Sequence, residues 1–166
     1  MPITFQDFLR RKAEGTDVRE RNRNRDEWLK AINGLLDQIE EWLRAADAEN
    51  LLEIMRYDVE RVEERMGVYD APALKVRLGT DEVDVVPVGR YAIGPLPAQA
   101  IKSLMGVEGT DGPAAGRVDI TNGERKYLLL RDLTSGQERW YAVDERSKAV
   151  LFDRAYLEAI LQDLWS

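Results

Sequence analysis

The sequence predicts one α+β domain, with a long amino-terminal helix, an antiparallel sheet of about six strands and a closing helix. Apolar residues recur every three or four positions between Trp28 and Trp42, which is typical of an amphipathic helix. Short alternating segments separated by turn signals occupy much of the region from 74 to 152. Helical spacing returns after Asp153. The predicted domain spans residues 1–166, with residues 1–27 as a polar helical arm.

The amino-terminal region carries two helix-start signals. Thr4 and Asp7 have the spacing of a capping box, and Thr16 follows Gly15 as a second N-cap. The second helix is expected to extend to about Ala46. Its apolar stripe consists of Trp28, Ile32, Leu35, Ile39 and Trp42. This stripe is interpreted first as intramolecular core, and second as an interface with a protein partner or another copy, since tryptophan is enriched at interface hot spots.

Residues 51–66 fit either a helix or a strand. A helix would place Glu60 beside Glu64 and Arg61 beside Arg65, and both like-charge pairs are unfavourable. The strand is therefore favoured. A change of phase near Arg61 predicts a bulge or a turn at that point.

The clearest hairpin signal is Asn122-Gly123. A two-residue turn there would pair Thr121 with Glu124, and Asp119 with Lys126. Upstream, the sequence predicts a short helix over 95–106 and a loop over 107–116, where glycine is frequent.

Composition excludes several classes of function. The chain has 24 basic and 31 acidic residues, hence a net charge of −7, which disfavours general binding to nucleic acid. It has no histidine and no cysteine, so the usual zinc, copper and iron–sulfur sites lack their ligands. No cofactor is expected. The sequence contains no long apolar run, so we expect a cytoplasmic protein without a membrane partner.

The stretch DVRERNRNRD contains four arginines, which raise the question of a nucleic-acid contact: Arg19, Arg21, Arg23 and Arg25. At about 100° per residue, Arg19 and Arg23 share one helical face while Arg21 and Arg25 share another. Acidic residues are mixed among them, and no aromatic residue is available for stacking on bases. A solvated helix is the favoured interpretation, and a weak anion contact is the alternative.

One constellation is similar to an enzyme site. Asp119 with Glu124 and Lys126 resembles the magnesium site of PD-(D/E)xK nucleases, where carboxylates hold the metal and lysine orients water. The competing interpretation is an ordinary cross-strand ion pair between Asp119 and Lys126, and it is favoured. No other catalytic residue is predicted.

Three functional hypotheses follow. The first is a non-enzymatic protein that acts through protein contacts or self-association. The second is an acidic inhibitor of a basic partner, because residues 26–65 contain twelve acidic and five basic residues. The third is a magnesium-dependent nuclease that uses Asp119, Glu124 and Lys126.

Overall fold

The computed structural model describes residues 3–14, 18–91, 115–133, 136–143 and 149–166. Within these ranges, the helices are α1 (Phe5–Glu14), α2 (Val18–Ala46) and α3 (Arg154–Leu164). The strands are β1 (Glu53–Glu63), β2 (Gly67–Leu78), β3 (Asp81–Gly89), β4 (Arg117–Thr121), β5 (Lys126–Asp132), β6 (Arg139–Val143) and β7 (Val150–Leu151).

The strands form one sheet in the order β1-β2-β3-β4-β5-β6-β7. Every neighbouring pair is antiparallel, so the sheet is a meander in which each strand pairs with the next along the chain. The predicted α+β architecture is confirmed, with seven strands rather than about six.

Helix α2 supplies the helical side of the core. Its apolar stripe packs against alternate side chains of the central strands, and burying each such side chain stabilises the fold by about 1.5–3 kcal/mol. The buried residues of α2 are Trp28, Ala31, Ile32, Leu35, Leu36, Ile39 and Leu43. Those of the central strands are Leu74, Val76, Val83, Val85, Val118, Ile120 and Leu129.

Helix α3 closes the same core. Asp153 caps its first turn by accepting a hydrogen bond from the backbone N–H of Tyr156 at 2.8 Å. Leu157, Ile160, Leu161 and Leu164 are its buried residues. Phe152, just before the cap, makes an edge-to-face contact with Trp42 of α2, with ring centroids 5.5 Å apart. The two helices therefore share one apolar layer.

Residues 53–63 form a strand, as favoured from sequence, and of the predicted bulge or turn near Arg61 the structure has a turn, at residues 64–66, and no bulge. Pairing between β1 and β2 runs without a shift from Glu53 opposite Arg77 to Glu63 opposite Gly67. The change of apolar phase near Arg61 comes from Val62, an apolar residue that is 69% exposed. The hairpin also buries different faces in its two halves, and that switch lies between Ala73 and Leu74, opposite Tyr57 and Arg56. Leu74 and Val76 are buried near the sheet centre, whereas Tyr69 and Ala71 are buried farther out. Because neighbouring side chains point to opposite faces, the hairpin must coil.

Two prolines stand where β2 and β3 separate. The pairing of these strands extends only from Leu74 opposite Val85 to Leu78 opposite Asp81. Pro72 of β2 then pairs only with β1, and Pro87 of β3 only with β4. A proline has no backbone N–H to donate, so it is tolerated where a strand has a partner on one side alone. The outer half of the β1–β2 hairpin therefore has no backbone pairing with β3.

The two-residue hairpin predicted at Asn122-Gly123 is wrong in register. Thr121 pairs with Lys126, and Asp119 pairs with Leu128. The side chain of Asn122 explains the longer loop, because its Oδ1 accepts hydrogen bonds from the backbone N–H groups of Glu124 and Arg125. Its Nδ2 donates to the carbonyl of Leu164 at 3.0 Å, which ties the loop to the end of α3.

Some predictions lie outside the described residues. They include the short helix over 95–106 and most of the loop over 107–116. Among the helices that the structure describes, none combines the length and the apolar character needed to span a membrane.

Candidate interaction surface

The residues of the nuclease hypothesis are only partly brought together. Arg117 donates to Asp119 from Nε at 2.8 Å and from Nη2 at 3.1 Å. Lys126 Nζ lies 4.0 Å from the same carboxylate. Glu124 is in the exposed loop after β4 rather than on a strand. Asp119 therefore faces two cations, and the described residues contain no cluster of three or more acidic side chains suited to hold a metal ion.

The four arginines of α2 do not form a single patch. Arg19 and Arg23 are exposed, while Arg21 and Arg25 are half-buried in line with the apolar stripe. Arg25 Nη2 donates to Asn22 Oδ1 at 2.7 Å within the same helix. An anion contact at these residues stays a prediction, with the charges spread over two faces.

The apolar stripe of α2, which includes Trp28 and Trp42, packs against other parts of the same chain. Trp28, Ile32, Leu35 and Ile39 are buried against the sheet. Trp42 is partly buried beside Phe152. Four of these five residues are therefore core residues, and Trp42 is partly buried at the edge of the core. An interface through this stripe stays a prediction.

An ion-pair cluster around the buried side chain of Arg131 fixes α2 on one end of the sheet. Arg131 of β5 donates from Nη2 to Glu27 of α2 and from Nε to Glu138 at 2.8 Å. Arg90 Nε lies 3.6 Å from the second oxygen of Glu27. Partial burial alone would raise the pKa of Glu27, but Arg131 and Arg90 outweigh it and hold the pKa below its ordinary value. Each charged group of the cluster has an opposite charge within ion-pair distance, which indicates a structural role.

Glu63 has a similar structural role at the tip of the β1–β2 hairpin. It is buried and accepts hydrogen bonds from the backbone N–H groups of Arg90 and Tyr91, at 3.2 and 2.8 Å. It also accepts one from the hydroxyl of Tyr69 at 2.5 Å. Burial, followed by the adjacent carboxylate of Glu63, raises the pKa of Tyr69. These bonds hold the inner face of the hairpin on the molecule and direct its other face outward.

An open, largely apolar groove of about 660 Å³ lies where α2 ends, beside α3 and the start of β1. Its apolar lining comes from Leu43, Leu51, Leu52, Leu78, Leu161 and Trp165. Asp47 lies at this groove and accepts backbone hydrogen bonds from Leu51 and Leu52 at 2.8 Å each. These two bonds lower the pKa of Asp47 and shape the turn into β1.

Helix α1 presents an apolar face to solvent. Phe5 and Phe8 are 73% and 49% exposed, and their rings stack with centroids 6.1 Å apart. Leu9, one turn beyond Phe5, is 44% exposed on the same face. The last turn is basic, with Arg11 and Lys12. Thr4 caps the helix by accepting from the backbone N–H of Asp7 at 3.1 Å, so the predicted cap is confirmed.

The outer half of the β1–β2 hairpin carries a second exposed surface. We call its solvent-facing residues the hairpin outer face: Asp58, Glu60, Val62, Val68 and Asp70. Val62 and Val68 are a directly opposed pair, 69% and 61% exposed. Glu60 lies directly opposite Asp70, and like charges in that position destabilise a sheet. Within the described residues, no cation forms an ion pair with Asp58, Glu60 or Asp70.

One contact links these two surfaces. Lys12 Nζ of α1 lies 3.8 Å from the Glu64 carboxylate at the hairpin turn. Both side chains are largely exposed, so this pair contributes little stability. Helix α1 therefore approaches the hairpin at its tip but leaves the apolar residues of both uncovered.

Sequence reasoning missed both surfaces. The spacing of Phe5, Phe8 and Leu9 placed them on one helical face, but nothing in the sequence showed that this face stays uncovered. Residues 67–73 were not assigned to a strand, which concealed the pairing of Glu60 with Asp70. The alternation of Tyr69, Ala71 and Ala73 with Val68, Asp70 and Pro72 was the available signal.

No protein-family model, curated protein or solved structure matches the chain. The function is therefore inferred from the chemistry of the described surfaces.

Proposed function

We propose that this is a non-enzymatic cytoplasmic protein that works by protein contact, and that α1 and the hairpin outer face provide the contact surface. The observation that carries the proposal is the stacked pair of Phe5 and Phe8 in water. Single exposed apolar residues are ordinary, but an aromatic pair with Leu9 beside it on a capped helix forms a continuous apolar face. Such a face gains free energy when a partner covers it.

The experiment compares three versions of the intact chain as bait in a native pull-down. They are the wild type, the double variant Phe5→Ser/Phe8→Ser, and the control Val150→Ser/Leu151→Ser. The control removes two exposed apolar side chains from β7, the strand at the opposite edge of the sheet from β1. All three should have the same melting temperature, since the altered side chains lie outside the core.

We expect the wild type and the control to retain the same protein, and the Phe5→Ser/Phe8→Ser variant to lose it. The retained protein is identified as a second copy by adding a tagged and an untagged chain together. Equal retention by all three baits would show that α1 is not the contact surface.

An acidic inhibitor of a basic partner is the second candidate function. The carboxylates of Asp58, Glu60 and Asp70 support it, because no described cation neutralises them. The acidic surface of α2 is smaller than the sequence suggested, since Arg56 binds Asp37 at 2.5 Å and Glu40 at 2.7 Å. Binding to such a partner should weaken as salt is raised from about 0.1 M to about 1 M, where the Debye length falls to roughly 3 Å. An affinity that does not change with salt concentration would exclude the acidic-inhibitor function.

The nuclease hypothesis has no comparable support. Asp119 already has Arg117 and Lys126 as neighbours, and a magnesium ion would have to displace them. An assay for magnesium-dependent cleavage of DNA and RNA, with the wild type and Glu124→Ala, tests it directly.

A further inference from the structure

We infer that the partner of α1 is a second copy of this chain, and that α1 of each copy packs on the hairpin outer face of the other. The inference rests on the proposed function and specifies its partner. Exchange of the same element in both directions gives a closed dimer with twofold symmetry.

The two surfaces match in their dimensions. Helix α1 has ten residues and is therefore about 15 Å long. From Val62 to Asp58 the hairpin outer face extends about 13 Å along β1. The apolar residues of α1 lie toward its amino-terminal end, and its basic residues lie in the last turn. On the hairpin, the apolar pair lies nearer the turn and the carboxylates lie farther from it. Each surface is therefore divided into an apolar part and a charged part.

The charges of the two surfaces are complementary. Lys12 follows Phe8 by four residues, so it lies on the apolar face of α1, and Arg11 borders that face. With Phe8 and Leu9 over Val62 and Val68, these cations come beside Glu60 and Asp70. A cation at that position offsets the repulsion between the two opposed carboxylates, for which the described residues of one chain supply no cation.

The chain's own α1 does not cover the hairpin outer face. It reaches only the hairpin turn, through Lys12 and Glu64, and Val62 and Val68 stay more than half exposed. An anionic membrane is a poorer partner for the basic amphipathic α1, because the adjacent acidic hairpin and the net charge of −7 repel it. A second copy supplies the missing cations and the missing apolar cover together.

The experiment is a charge exchange between two variants of the full chain. Variant one is Arg11→Glu/Lys12→Glu, and variant two is Glu60→Lys/Asp70→Lys. In a dimer of two copies of the same variant, both contacts between α1 and the hairpin outer face bring like charges together. In a mixed dimer, acidic α1 of variant one meets the basic hairpin of variant two, and the other contact is as in the wild type. The control Lys30→Glu/Arg44→Glu makes the same change in net charge as variant one, on exposed positions of α2, whereas variant two makes the opposite change.

Sedimentation equilibrium and light scattering report the mass. We expect the wild type and the control to move from monomer to dimer as concentration rises. Each variant alone should show a dissociation constant at least tenfold higher, and an equimolar mixture should recover the wild-type value. Circular dichroism checks that all four proteins keep the same helix content.

Two results would overturn the inference. One is a wild-type chain that stays monomeric at every concentration, including the case in which it binds another protein or sediments with anionic vesicles through α1. If α1 retains another protein, the proposed function stands and only the identity of the partner is wrong. The other is a wild-type dimer that both charge variants leave unchanged, which would place the dimer contact on another surface.

Discussion

Arg131 at the end of β5 and Glu27 on α2 are joined by an ion pair across 104 residues of sequence. The Arg131 side chain is only 4% exposed, whereas Glu27 is 45% exposed. The guanidinium also binds Glu138 and lies 5.9 Å from the ring centre of Trp28. A buried cation must keep its partners, because an unpaired charge in the interior is costly. The position of α2 on the sheet is therefore fixed by charge as well as by apolar packing.

Replacing Glu27 by glutamine should lower the free energy of unfolding by about 1–2 kcal/mol. The buried Arg131 then loses one of its two carboxylates, while the partial exposure of Glu27 limits the loss. Urea unfolding of the wild type and the variant measures the difference. Glu158→Gln, which removes the exposed pair with Arg154, is the control and should change stability by less than about 0.5 kcal/mol. Equal effects at both positions would contradict the buried cluster.

Glu27 also makes the stability of the fold depend on pH in the acid range. The pKa of Glu27 in the folded chain is below its ordinary value of 4.5, because Arg131 and Arg90 outweigh the effect of partial burial. Its contribution to stability is therefore complete above pH 4.5 and is lost as the pH falls through the lower, folded value. The stability difference between the wild type and Glu27→Gln should be constant near neutrality and shrink below pH 4.5. A stability difference between the wild type and Glu27→Gln that grows as the pH falls would contradict this prediction.

At Gly116, alanine should be strongly destabilising. A Cβ there would lie 2.3 Å from Cζ3 of the buried Trp28, and the φ of +148° is one that other residues rarely adopt. We expect a loss of about 2–4 kcal/mol from overpacking and backbone strain together. Gly34→Ala is the matched control, because it lies within α2 with no atom within 4 Å of the new Cβ. It should raise stability by about 0.5–1 kcal/mol.

Tyr57 makes the stability of the fold depend on pH in the alkaline range, as Glu27 does in the acid range. Burial, and then the hydrogen bond from its hydroxyl to Asp84 at 2.8 Å, raise the pKa of Tyr57 from 10.0 to about 12. The resulting stability is present in full below pH 10.0 and is lost as the pH rises through about 12. A titration of tyrosinate absorbance should show one component near that pH, which Tyr57→Phe removes. Asp84→Asn should move it to lower pH, and an unchanged titration would contradict the bond.

Asp70→Lys should stabilise the monomer by about 0.2–1 kcal/mol, because it converts the like-charge pair with Glu60 into an attractive pair. Unfolding is measured at a concentration low enough for the monomer to predominate. Glu49→Lys, at an exposed turn position, is the control and should have an effect below about 0.5 kcal/mol. A loss of stability in Asp70→Lys would show that the carboxylate has a favourable contact in the folded chain.

The elements with a strong local signal were predictable from sequence. Asp153 as an N-cap and the three-and-four spacing after Trp28 both depend on residues close in the chain, and the structure has both helices. The register at Asn122 was not predictable from the preference for a two-residue turn, because the Asn122 side chain accepts bonds that form a longer loop. Bonds from this loop to Leu164 and Asp163 of α3 add a tertiary contact that the sequence does not show.

The candidate surface was less predictable for a physical reason. Whether an apolar residue lies in the core or in water depends on what else packs there. Trp28 and Phe8 both have large aromatic side chains, and only the three-dimensional structure shows that Trp28 is covered and Phe8 is not. The pairing of Glu60 with Asp70 likewise requires the register of β1 and β2, which a single sequence does not specify.

The meander has a consequence for the order in which the chain folds during synthesis. Each strand pairs with the next along the chain, and five of the six connections are short, whereas residues 90–116 separate β3 from β4. Most pairings in the sheet therefore form with little loop entropy lost. Helix α2 emerges from the ribosome before every strand that covers it, so its apolar stripe stays exposed until those strands are synthesised. That interval is when the nascent chain is most prone to aggregation. The basic and acidic residues on the outer side of α2 then keep it in solution until the first hairpins arrive.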